Sequence, residues 1–111
     1  MQGIHLTRLG GDRVLLEPQH GVNPASPDSG MDRILSALQA SKARRVYYDL
    51  AQVTLVDPVY YHFLNQLAAG CHALGMSLTC INMGPQAAFA LAAQMETPPR
   101  FRSALTLEEA D

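Results

Sequence analysis

Apolar residues fall at positions 31, 34, 35 and 38, and again at 60, 63, 64, 67, 71 and 74. Spacings of three and four put each set on one face of a helix. The first set predicts a helix over residues 31–43. Ser29, followed three residues later by Asp32, resembles a capping box at its start, with Asp in place of the usual Glu. The second set predicts a longer helix over residues 58–74, opened by Pro58 and ended by Gly75. Between them, V-Y-Y-D-L at 46–50 is dense in β-forming residues. Residues 76–83 are almost continuously apolar, as in a strand covered on both faces. Pro85 begins a further helix running to about Met95, with Pro98 and Pro99 beyond its end. A short strand, F-R-S-A-L, follows, and Thr106 with Glu109 forms a capping box for a last helical turn.

At the beginning of the chain, residues 4–9 and 13–17 flank Gly10, Gly11 and Asp12, which reads as two strands joined by a tight turn. The stretch HGVNPASPDSG, residues 20–30, holds two prolines and two glycines and is a loop. The order is therefore β-β-α-β-α-β-α-β-α. Strands separated by helices require crossovers and parallel pairing. The expected fold class is α/β, with a central mixed sheet opened by an antiparallel hairpin.

Composition narrows the function. At 111 residues the chain has the length of one domain, spanning 1–111, and 48% hydrophobic with 16% charged residues is an ordinary globular balance. A net charge of −2 gives no reason to expect nucleic acid as a partner. Lys42, Arg44 and Arg45 cluster at a helix-to-strand junction, where a solvated end is the simpler account. No apolar run reaches the ~20 residues of a membrane span, and the opening MQGIHLTRLGG lacks the layout of a signal peptide. Cys71 and Cys80 lie in apolar surroundings and match no metal motif, as expected of reduced core thiols in a cytoplasmic protein.

The most informative stretch is D-L-A-Q-V-T-L-V-D-P-V-Y-Y, residues 49–61. Proline pushes Asp57 into the extended conformation of a helix N-cap and then fits the first helical position itself. The Asp57 carboxylate can accept from the free amides of Tyr60 or Tyr61. Phosphoryl chemistry at this helix mouth would need an acceptor hydroxyl beside the carboxylate, and the next residues are Pro58 and Val59.

The string D-L-A-Q-V-T-L-V-D resembles the STAS domain of anti-sigma-factor antagonists, whose members show D-L-(S/T)-x-(V/L)-x-x-(I/V/M)-D followed by Ser or Thr. Asp49, Leu50, Val53, Val56 and Asp57 match. L-G-M-S-L-T-C-I-N-M-G-P-Q-A-A, 74–88, is similar to a later family segment, and S-A-L-T-L-E-E-A, 103–110, to its closing strand and helix. The likeness covers essentially the whole chain and is nearest to small stand-alone STAS proteins of the stressosome scaffold type. It implies helices packed mainly on one sheet face. It also implies a non-enzymatic regulatory or scaffolding role through protein–protein contact. Implied partners are other STAS proteins, a switch kinase or an anti-sigma factor, and a homo-oligomer is compatible. Pro58 and Val59 stand where the family carries its phosphoacceptor, Tyr60 where small residues are common, and Ala51 where a hydroxyl is frequent. The usual Ser/Thr switch is therefore not expected, although Thr54, Tyr60 and Tyr61 remain nearby hydroxyls.

The face of the second helix opposite its apolar stripe carries Tyr61, His62, Asn65, Gln66, Ala69 and His72, and no charged residue. Solvated helix faces usually carry Lys and Glu, whereas tyrosine is enriched in interfaces. Phe89 lies off the stripe of its own alanine-rich helix and would extend an association surface. The expected partner-binding residues are Asp57, Pro58, Val59, Tyr60, Tyr61, His62, Asn65 and Phe89. No metal or cofactor is expected. His62 and His72, ten residues apart, cannot chelate one ion, and a nucleophile drawn from Cys71 or Ser77 lacks an elbow motif. The alternative function is a small-molecule or lipid carrier or a transporter-associated STAS module. That would need a preformed apolar pocket, for which the loop at 20–30 could serve as a lid.

Overall fold

The computed structural model describes residues 3–19, 30–94 and 98–110. Its elements run β1 (Ile4–Gly10), β2 (Arg13–Pro18), α1 (Met31–Ser41), β3 (Arg45–Asp49) and α2 (Pro58–Ala73). They continue with β4 (Ser77–Ile81), α3 (Pro85–Gln94), β5 (Arg102–Ser103) and α4 (Leu107–Ala110). The β1–β2 pair is antiparallel, and β2–β3, β3–β4 and β4–β5 are parallel, so the five strands lie in chain order. Parallel crossovers are right-handed. When each one steps in the same direction, every crossover helix falls on the same side. The STAS-like architecture, a mixed sheet opened by a hairpin with helices on one face, follows from that unreversed order.

The register aligns Val14 with Val46 and Leu78, and Leu16 with Tyr48 and Cys80. These residues share a face and form one core with Ile34 and Leu38 of α1, Phe63, Leu64, Leu67, Ala68 and Cys71 of α2, and Ala87 and Leu91 of α3. β3 and β4 are buried on both faces, which the continuous apolar run at 76–83 predicts for β4. Helices α1 and α2 approach closely at Gly70, where a Cβ would sit 2.7 Å from Leu35 Cδ1.

Element ends follow local chemistry. Gly10 and Gly11 take positive φ in the hairpin, beside a register shift between Arg8 and Gly10. Arg45 and Asp12 form an ion pair at 2.8 Å across the loops at that end. Helix α2 closes in a Schellman motif: Met76 N–H donates to the Cys71 carbonyl and Gly75 N–H to that of His72, with Gly75 at φ 79°. Helix α1 departs from expectation. Its N-cap is Gly30 in the left-handed region, with no side-chain cap hydrogen bond, and Ser29 lies outside the described residues. At α4, Thr106 Oγ1 accepts from Glu109 N–H as expected, but Glu109 reaches back to the amide of Leu105 rather than that of Thr106. β5 is shorter than the stretch F-R-S-A-L: only Arg102 and Ser103 pair with β4, and Phe101 before them is buried.

Candidate partner surface at the mouth of α2

The loop from β3 to α2 is fixed at both ends. Asp49 Oδ1 accepts from Ala51 N–H at 2.9 Å and from Asn82 Nδ2 at 3.1 Å, tying this loop to the β4–α3 turn. Asn82 holds φ 58°, a conformation asparagine tolerates better than most residues. Leu50 N–H donates to the Ile81 carbonyl, and Val53 N–H to that of Leu50. Leu50 and Val56 are buried. At the far end Asp57 is extended (φ −78°, ψ 175°) and its Oδ1 accepts from Tyr60 N–H at 2.8 Å, while its carbonyl accepts from Tyr61 N–H. Asp57 is therefore the N-cap of α2, with Pro58 at the first helical position. Asp57→Ala is expected to cost about 0.5–2 kcal/mol in urea denaturation, and Asp57→Asn or Asp57→Ser much less. An Asp57→Ala chain as stable as the parent would show that the cap contributes nothing.

The structure sorts the expected contact residues. Asp57, Pro58, Val59 and His62 are exposed. Tyr61 is half-buried and meets Phe101 edge to face, with ring centroids 6.1 Å apart. Asn65 Oδ1 accepts from Arg100 N–H at 2.9 Å, so this side of α2 already holds the segment after α3. Tyr60 is a correction. It is only 9% exposed and turns inward, where its hydroxyl meets that of Tyr48 at 2.8 Å and its ring packs edge to face on Tyr48 and Phe63. Its position on the apolar stripe of α2 outweighs its place at the helix mouth. Phe89 stands on α3, 80% exposed; other residues of that helix, Leu91 among them, line a shallow apolar groove of about 310 Å³ with Met83, Ala104 and Leu105.

Leu55 was not among the expected residues, yet it is 57% exposed, and Val59 on the other side of Asp57 in the chain is 46% exposed. The family pattern leaves its position unspecified, and alternation could not tell an outward leucine from an inward one in an irregular loop. The loops after β3, β4 and β5 all leave the same end of the parallel sheet, so Leu55, Val59 and Leu105 share the C-terminal end of the strands.

The chemistry of the described residues is quiet. Burial pushes the Cys71 thiol up to about 11 and raises that of Cys80 further. Burial also raises the phenols of Tyr48 and Tyr60. Among the described residues no three His, Cys, Asp or Glu side chains are placed to hold a metal, and no helix is long and apolar enough to cross a membrane.

No family model and no curated protein matches the sequence. Solved structures do. The NMR structure of the protein TM1081 superposes with a TM-score of 0.76 at 13% identity, over 93% of this chain and 82% of that one. A Ser-to-Glu variant of RsbS from Moorella thermoacetica gives 0.77 at 16% identity, over 95% and 90%. At such identities the likeness is one of fold, and the chain shares the fold of both proteins along nearly its whole length.

Proposed function

We infer that this chain is a non-enzymatic STAS-like module that regulates or scaffolds by protein–protein contact, through the mouth of α2. Its partners are other STAS proteins, a switch kinase or an anti-sigma factor. The observation that carries this reading is Asp57 in its capping role, flanked by outward-facing Leu55 and Val59 and with no Ser or Thr following it. Exposed apolar residues around a rigidly capped helix start are suited to holding a partner. Phosphorylation just after Asp57 has no acceptor, so binding is constitutive and governed by concentration or by a sensor on the partner. The proposed contact leaves out Tyr60, whose side chain is buried.

The test combines light scattering at several concentrations with binding to STAS proteins, kinases and anti-sigma factors encoded beside this chain. Leu55→Asp and Val59→Asp, both at exposed positions, are each expected to weaken the complex at least tenfold with little change in stability. Incubation with a neighbouring kinase is expected to leave the intact mass unchanged. A strict monomer that binds none of these proteins would overturn the reading, and a gain of one phosphate near residue 57 would overturn its constitutive part.

A further inference from the structure

A second surface lies away from the mouth of α2. His62, Asn65, Gln66 and Ala69 occupy one face of the helix at spacings of three and four, opposite Pro98 and Arg100, and enclose an open cleft of about 450 Å³. Both walls are fixed. Phe101 is buried against Tyr61, and Arg100 N–H donates to Asn65 Oδ1. That bond also sets the Asn65 carboxamide: a backbone N–H can only donate, so the oxygen faces it and the NH2 group is left to donate elsewhere.

The lining is consequently rich in donors. Arg100 brings a guanidinium that makes no ion pair among the described residues, Gln66 a second amide, and His62 an imidazole. Among the described residues no carboxylate lines the cleft, and α2 carries no Asp or Glu anywhere along its length. The volume is that of a small-ligand site. The planar fork of arginine matches carboxylate and phosphoryl oxygens. We propose that this cleft binds a small organic anion through a carboxylate or phosphoryl group, held by Arg100 and oriented by Asn65, Gln66 and His62.

The cleft shares His62 and Asn65 with the residues expected to meet a partner, but its experiment reads Asn65, Gln66 and Arg100, whereas the partner test reads Leu55 and Val59. The ¹⁵N-labelled chain is titrated with inorganic phosphate, with citrate and with a short polyglutamate peptide, each at constant ionic strength and against chloride. Saturable shifts are expected with phosphate or citrate at the backbone and side-chain amides of Asn65 and Gln66 and at Arg100. Arg100→Gln is expected to weaken binding at least tenfold and Arg100→Lys less, both folded by their unchanged thermal midpoints. Three results would overturn the proposal: shifts no larger than those of chloride, equal affinity in Arg100→Gln, or saturation by the peptide alone.

Discussion

Replacing Tyr48 by alanine is expected to remove about 3–5 kcal/mol of stability, enough to unfold part of the population at ordinary temperature. Tyr48 is fully buried at the centre of the sheet, level with Leu16 on β2 and Cys80 on β4. Its ring meets Tyr60 and Phe63 edge to face, each at 6.4 Å between centroids, so truncation opens a cavity where β3 and α2 join. It also strips the Tyr60 hydroxyl of its partner. Phenylalanine variants separate the two effects. Tyr48→Phe and Tyr60→Phe each leave one buried hydroxyl unpaired, at about 1–3 kcal/mol apiece, whereas the double variant leaves none and is expected to cost clearly less than the sum.

Alkaline pH gives a second readout of the same pair. Burial raises both phenols in the folded state. Above the ordinary phenol value near pH ~10, the unfolded chain loses these protons while the folded chain keeps them. Stability then falls as pH rises, and the double Phe variant lacks that part of the fall. Strict additivity in urea denaturation, or a Tyr48→Ala variant losing under ~1 kcal/mol, would show that the three rings are not the core joint described.

How much of this was legible in the sequence depended on how local the cause was. The Asp57 cap, the proline after it and the glycine ending α2 each involve residues within a few positions, and each was readable. Tyr60 shows two signals in conflict. Helical spacing placed it on the buried stripe, while its place beside the motif aspartate suggested an outward contact, and packing decided for the stripe. Gly30 could not be anticipated as the cap of α1, because serine, the stronger capping residue, stands beside it. The link from Asp49 to Asn82 joins loops 33 residues apart, and no local pattern announces it. The anion cleft is half visible in the sequence: the uncharged α2 face can be read there, but its opposite wall arrives 35 residues after Asn65.

Both thiols are expected to be silent in the folded protein. In native buffer at pH 8, Cys71 and Cys80 should react with a small disulfide reagent at least about two hundredfold more slowly than in denaturant, where both titrate at once. Ionisation alone supplies that much for Cys71: with its thiol pushed up to about 11, roughly one molecule in a thousand is thiolate at this pH. An unfolded thiol near ~8.5 is about one quarter ionised. Cys80 is held higher still by burial within the interior strand β4, paired on both sides by β3 and β5. Its labelling should therefore follow global unfolding. Cys71, near the end of α2, needs only the last turns of that helix to open and should label first as denaturant is added. A native thiol reacting at the denatured rate would place one cysteine at the surface, and with it a redox-sensitive group on a chain whose described contacts leave none there.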